Sequence, residues 1–452
     1  MAPAAEPASP RRHTLTDHAD THQRALAINL DRSVYGSFAE IGAGQEVARW
    51  FFQVGGAAGT VARTISAYDM AMSDAIYGKS RRYVSRERLL AMLDREHSLL
   101  VGTLGEARGA DTRLFAFADT VAARNYAGTN ECHGWMGLRF QDRPGAPPSD
   151  ALLHVNMLEA SSQQQQQALG VLGVNLLHAA HHDHAGPGPF LTSLFDGLSL
   201  DRVEVDVAEL SGPAFAGFDA RAVGLRLVRQ GLAGAVVFQP DGALAAPTEV
   251  LRRRPVVLER GRFRSEKPVH GRLLAGAGQR LRAELPPDAR EPLCLFEMTM
   301  GPHDGPLPDD DVLLRRIARL NGLGFPVAVT RYAHVWDLNE HLRRYTHEPI
   351  RLALGASTLV EILTGSTGES EIGGAFQALG RLFAQKTRVY VYSMDVTTFH
   401  ERLAKVGLGP DAVAFDPEQP VSADGIRFPG AFGHMYAYLR ELGWIVPLPP
   451  AP

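Results

Sequence analysis

Side chains able to do chemistry concentrate between positions 119 and 135, where Asp119, Arg124, Tyr126, Asn130, Glu131, Cys132, His133 and Trp135 follow one another closely. A thiol beside an imidazole suits a nucleophile and its base, which makes Glu131, Cys132 and His133 the candidate catalytic residues. Adjacent side chains on an extended strand point to opposite faces, so covalent catalysis requires a turn at Cys132. The alternative is ligand binding. Arg124 would take an anionic group, Asn130 and Glu131 ribose-like hydroxyls, and Tyr126 or Trp135 a stacked ring, with Asp119 at the preceding strand end. A purely structural loop is the third option.

A second constellation lies later in the chain. His303 and Asp304 follow one predicted strand, Arg331 and His334 the next, and Ser357 a third. If these strands are parallel neighbours, the turns share one edge. There, a small Gly355-Ala356-Ser357 turn feeding a helix would receive a phosphate or carboxylate through backbone amides. Glu297 stands inside the apolar run Leu293–Met300 and needs a partner, such as an arginine, or a role as a base of shifted pKa.

Other motifs fail on spacing. Gly78-Lys79-Ser80 ends like a phosphate loop, but Ser73 stands where its first glycine belongs. Gly42-Ala43-Gly44-Gln45-Glu46-Val47 begins like a dinucleotide fingerprint and ends in valine where Gly or Ala is needed. His178, His181 and His182 share a helical face at a spacing that can hold a divalent ion. Gly186-Pro187-Gly188-Pro189 follows them at once, so an exposed helix end is the simpler account. The stretch Thr364–Ser370 reads as a surface loop.

The elements that must position these residues alternate. Residues 1–25 read as a disordered tail and 26–108 as a largely helical segment, with Leu89, Met92 and Leu93 on one face. From 109 to 262 short apolar runs such as Arg113–Ala118 and Trp135–Gln141 alternate with helical stretches. From 263 to 452 the alternation is cleaner, with Asp309, Asp310 and Asp311 suited to a helix start and Gly322 to its end. The pattern predicts an α/β protein of two mostly parallel, doubly wound, Rossmann-like sheet units behind a helical N-terminal segment. A single (β/α) barrel is the alternative. The Gly-, Arg- and Pro-rich stretch 260–290 favours two units.

The 452 residues are 45% hydrophobic and 21% charged, with a formal charge of -4. That is an ordinary globular composition, in which no apolar run is long enough to span a membrane. Cys132 and Cys294 are too few for a disulfide framework. Lys79, Lys267, Lys386 and Lys405 are the only lysines, and no basic stripe suits duplex nucleic acid. Without an apolar leader at the start, a cytoplasmic protein is expected.

The stretches Tyr35-Gly36-Ser37-Phe38-Ala39-Glu40-Ile41-Gly42-Ala43-Gly44-Gln45-Glu46-Val47-Ala48-Arg49-Trp50-Phe51-Phe52 and Gly128-Thr129-Asn130-Glu131-Cys132-His133-Gly134-Trp135 resemble an uncharacterised family of bacterial proteins of similar length. Its members are variously called nicotinate-nucleotide adenylyltransferase and TonB-dependent receptor. The second name would require a signal peptide and a series of amphipathic barrel strands. The first would require a His-x-Gly-His turn, and His303-Asp304-Gly305-Pro306 lacks the second histidine. The resemblance therefore transfers no catalytic residue.

The residues point to a soluble protein that binds a small anionic or nucleotide-like ligand in an inter-domain cleft. No cofactor is specified, no membrane or duplex partner is expected, and self-association is compatible with the reading. An enzyme of unspecified reaction, a non-catalytic scaffold or assembly subunit, and a nucleotidyltransferase all stay open.

Overall fold

The computed structural model describes residues 20–263, 268–300, 308–364 and 374–449. Its elements run α1 (Thr21–Leu30), β1 (Val34–Ile41), α2 (Glu46–Val54), β2 (Val61–Ile65), α3 (Met70–Tyr77), α4 (Arg86–Arg108), β3 (Arg113–Val121), β4 (His133–Phe140), β5 (Ser149–Met157), α5 (Ser162–His182), α6 (Pro187–Leu194) and β6 (Val203–Ser211). There follow α7 (Ala220–Arg229), β7 (Ala235–Phe238), β8 (Leu244–Ala245), α8 (Pro247–Leu251), β9 (Val256–Arg260), α9 (Pro268–Glu284), β10 (Leu293–Thr299), α10 (Asp310–Asn321), β11 (Val327–Thr330) and α11 (Val335–Arg343). The chain closes with β12 (Ile350–Gly355), α12 (Ala356–Thr364), α13 (Gly374–Leu382), β13 (Thr387–Tyr392), α14 (Val396–Lys405), α15 (Gly430–Glu441) and β14 (Ile445–Leu448).

The strands make two open sheets, in the orders β2-β1-β3-β4-β5-β6 and β14-β13-β12-β9-β10-β11-β7-β8. The α/β class therefore holds, and the barrel alternative falls because both sheets end in edge strands. By compactness the chain forms two units. One comprises Met1–Asp150, Glu159–Val203 and Gly212–Phe215; the other comprises Ala151–Leu158, Glu204–Ser211 and Ala216–Pro452. No helix among the described residues is long and apolar enough to cross a membrane.

In the first unit β1 pairs in parallel with both β2 and β3, and β4 returns antiparallel to β3. The 26–108 stretch thus contributes two strands to this sheet as well as its helices. Residues Leu114–Val121 of β3 are all buried, as a strand covered on both faces must be. Helix α4 starts on a Ser85 cap and packs on β1, β3 and β4 through Leu89, Met92 and Leu93. Helices α2 and α5 pack on one another, and α5 also meets β4. Gly42 turns the chain out of β1 at φ +101°, where a β-carbon would stand 2.2 Å from the Val121 carbonyl oxygen.

In the second unit β9 is the centre of a parallel sheet. Strands β10 and β11 lie to one side, and β12, β13 and β14 to the other. Strand β7 then adds antiparallel to β11. The expected boundary at 262–263 falls inside this unit. The stretch 260–290 looks like a linker by composition, yet it carries α9 and joins the neighbouring strands β9 and β10. Helix α10 follows its predicted punctuation, with Leu313, Ile317 and Leu320 buried and Gly322 at its end.

Candidate functional site

In open α/β sheets ligands gather beyond the carboxyl ends of parallel strands, where the strand order reverses. Each unit has one such place. In the first it lies between β1 and β3, and the register there sets Glu40 beside Asp119. Both side chains are buried. Glu40 accepts from the backbone amides of Val47 at 3.0 Å and Ala48 at 2.9 Å, so it fills the N-terminus of α2 itself. Asp119 Oδ1 accepts from Ile41 N at 3.3 Å, while its Oδ2 is buried without a hydrogen bond. Burial pushes Glu40 up to about 7, against its two amide bonds. Burial, then the neighbouring Glu40 charge, raises Asp119 well above the usual carboxylate range. The helix amides favour the ionised form of Glu40, so of the two carboxyls Asp119 keeps its proton to the higher pH.

The 122–132 loop leaves this edge and returns into β4. Asn130, expected to bind ligand, spends its side chain on the loop. Its Oδ1 accepts from Asn125 N at 2.8 Å and its Nδ2 donates to the Ala123 carbonyl at 2.8 Å. Arg124 is anchored by its backbone amide on Gln165 Oε1 at 2.8 Å, and its guanidinium lies across Gly128. His133 Nε2 stands 3.9 Å from Glu131 Oε2, two residues back on the same side of the extended chain. The Cys132 thiol instead donates towards the Asn130 carbonyl, 3.6 Å away. Trp135 is buried opposite Thr120, and Tyr126 is fully exposed. The loop thus stands at a sheet edge as expected, with a backbone held by its own polar side chains.

Two tempting motifs have structural explanations. Gly78-Lys79-Ser80 follows helix α3 rather than a strand, and the Gly78 carbonyl accepts from Arg88. His181 turns inward against Phe115 and Phe140, while the rings of His178 and His182 lie 4.6 Å apart. Burial lowers His178 to about 4 and His181 to about 3. No group of three or more His, Cys, Asp or Glu side chains placed to hold a metal ion occurs among the described residues.

In the second unit the order reverses between β9 and β12, whose register sets Glu259 beside Ala353. Glu259 is buried, and its Oε1 lies 2.6 Å from His270 Nδ1 in the first turn of α9. Its carboxylate also faces the buried Tyr392 hydroxyl on β13. Burial raises Glu259 above the usual range, with His270 opposing, and burial together with the Glu259 charge raises Tyr392 on β13. Helix α12 begins directly after Gly355, and the exposed Arg402 brings Nη1 to 3.8 Å from where a Gly355 β-carbon would stand. Next to β9, Glu297 makes a buried ion pair with Arg260 at 2.8 Å and accepts from Thr330 Oγ1 at 2.5 Å. That is the structural pairing its position called for.

Of the later constellation, Ser357 is buried in the first turn of α12, beside the reversal. Arg331 follows β11 on the same edge, but its guanidinium lies over Gly231, towards β7. His303 and Asp304 lie outside the described residues. The 119–133 residues and Arg331 or Ser357 belong to different units and are not brought to one site by either unit alone. Sequence reasoning missed Glu40, Glu259, His270 and Arg402. For Glu40 and Glu259 the available signal was a carboxylate in the last two residues of an apolar run.

No protein-family model matches the chain, and no curated protein matches it. Solved structures that it resembles include competence/damage-inducible protein CihA from Agrobacterium tumefaciens, at 20% identity and TM-score 0.27 over 36% of this chain and 96% of that one. A competence-damaged protein (CinA) superfamily protein from Enterobacter cloacae gives 13% identity and TM-score 0.28 over 38% of this chain and 98% of that one. A competence or damage-inducible protein from Enterobacter asburiae gives 12% and 0.26, over 36% and 99%. Neither name attached to the family resembled in sequence is among them. At such TM-scores the likeness assigns no function.

Proposed function

We propose that the protein binds a small anionic, nucleotide-like ligand at the carboxyl edge of the second sheet, between β9 and β12. The observation that carries this reading is the strand order. Two parallel halves wind outward from β9 in opposite directions, the arrangement that opens a crevice for a nucleotide at the reversal. Local chemistry supports it. The turn Gly355-Ala356-Ser357 is small and opens α12, so the first amides of that helix lie at this edge, and Arg402 supplies a cation beside Gly355. The equivalent place in the first unit is less suited to an anion, because the Glu40 carboxylate already holds the amides of α2.

Inorganic phosphate and AMP are the probes. Each is expected to raise the melting temperature of the full chain by a few degrees at saturating concentration. Arg402→Ala is expected to weaken the binding by roughly tenfold to a hundredfold, the loss of one charge-assisted contact of about 1.5–3 kcal/mol. Absence of any shift with both probes, or an Arg402→Ala variant that binds as the wild type does, would remove the reading.

A further inference from the structure

We propose that His270 is the general base of this edge, acting on an anionic ester, and that Glu259 positions it. The inference rests on the ligand reading above for the anion, and on separate geometry for the base. A buried carboxylate holds one ring nitrogen of a half-buried imidazole: His270 Nδ1 lies 2.6 Å from Glu259 Oε1, with the histidine side chain 24% exposed and the glutamate 4%. A hydrogen on Nδ1, shared with the carboxylate, leaves the lone pair on Nε2. The buried acid fixes the tautomer, and the part of the ring that stays accessible is left to meet a reactant.

Gly261 and Phe263, just after β9, hold the ring. Phe263 adopts φ +42°, a left-handed conformation that costs a bulky residue energy and persists where surrounding structure enforces it. Its ring packs edge-on against His270 at 5.2 Å and against Phe296 at 5.2 Å. Gly261 leaves room for it, since a β-carbon there would stand 2.9 Å from the Phe263 ring. Glu259 and His270 sit at the end of the central strand, on the face that α9 covers, and Gly355 with Arg402 lies at the end of the neighbouring strand β12. The combination gives a held anion, a base of defined tautomer and a place where the strand order opens a crevice.

The step balances without a further reactant. A water proton passes to His270 Nε2 as the water oxygen adds to the ester carbonyl carbon. When the carbon–oxygen bond to the alcohol breaks, Nε2 returns the proton to the departing oxygen, giving acid and alcohol. An imidazole base of this kind is worth about 10²–10⁴ in rate.

The test uses the full chain and the succinate monoester of 4-nitrophenol, which carries one carboxylate and one activated ester. The wild type is expected to release nitrophenol by turnover. His270→Gln should lower kcat at least a hundredfold with KM little changed. Glu259→Gln should lower kcat about tenfold, and the ¹⁵N spectrum of His270 should change from hydrogen on Nδ1 to a mixture of tautomers, a change that a purely structural strut would not predict alongside a kcat loss. Arg402→Ala should raise KM. No turnover by the wild type, unaltered kcat in His270→Gln, or a wild-type imidazole carrying its hydrogen on Nε2 overturns the base. An unchanged KM in Arg402→Ala, with kcat still dependent on His270, overturns the anion reading and leaves the base standing.

Discussion

Glu40→Ala is expected to cost the first unit about 3–5 kcal/mol of stability, since each of two buried amide bonds to a charged acceptor is worth about 1.5–3 kcal/mol. Val47 N and Ala48 N would lose their partner at the start of α2, where no other side chain caps the helix. Asp119→Asn is expected to act in the opposite direction. The amide keeps an oxygen for Ile41 N and removes the acid that faces Glu40. The sign follows from the raised pKa values. Carboxyls whose folded pKa lies above the unfolded one stabilise the fold below the unfolded value of roughly 4, and lose that contribution as pH rises through the folded value. For Glu40 that loss is complete above about 7. The negative charge of Glu46 pushes Glu40 in the same direction. Wild-type stability should therefore fall as pH rises from about 4.5 through about 7, by up to about 3 kcal/mol from Glu40. Asp119→Asn should flatten that fall and be the more stable protein at pH 8. Urea titrations at four pH values measure both. A less stable Asp119→Asn at pH 8, or equal slopes in the two proteins, would contradict this account of the two carboxyls.

A loss of similar size, about 3–5 kcal/mol, is expected for His154→Ala in the second unit. His154 Nδ1 lies 2.6 Å from Asp206 Oδ1, and Asn156 Nδ2 donates to Asp206 Oδ2 at 2.7 Å. Both His154 and Asp206 are fully buried. Glu204, on the same strand, holds Gly234 N at 2.6 Å and is pushed up to about 7, by burial first and then by Asp206. Taking away the imidazole leaves a buried aspartate with one amide and a carboxylate neighbour. Thr248 Oγ1 is 3.4 Å from His154 Nε2, so Thr248, His154 and Asp206 are spaced like a nucleophile, base and orienting acid. The hydroxyl is nearly enclosed, and the arrangement reads as a strut linking β5, β6 and α8. Thr248→Ala should accordingly cost less than about 1.5 kcal/mol. Chemical denaturation of the two variants compares them directly. If Thr248→Ala proved as damaging as His154→Ala, the strut would not describe the cluster.

Long periodic elements were legible in the sequence because one force shapes them. Helix α10 shows three acids at its start, apolar residues at helical spacing and glycine at its end, and each feature has its counterpart in the structure. Strand β1 was harder. Its Val-Tyr-Gly-Ser-Phe-Ala-Glu-Ile mixes small, polar and acidic residues because both faces are covered and its end carries Glu40, so no period of two survives. Strand β9 was hidden by the arginines before it and by Glu259 and Arg260 at its end. The edge position of the 119–135 loop followed from its two apolar neighbours. The use of Asn130 to hold backbone did not, because one amide side chain serves a ligand or a turn equally well on paper. Glu259 stands just before, and His270 inside, a stretch whose composition reads as a linker, and their proximity comes from α9 packing back against β9.

The central place of β9 bears on how the chain is made. Val256 pairs with Leu293 on one side and with Ile350 on the other. During synthesis the first pairing can close early, but the second waits until Ile350 has left the ribosome. Through that interval Val256-Val257-Leu258 presents an open row of amides and carbonyls on apolar residues, a template to which a neighbouring nascent chain can add. Protection of that row, by rapid elongation or by a chaperone, is then a requirement for efficient production of the second unit.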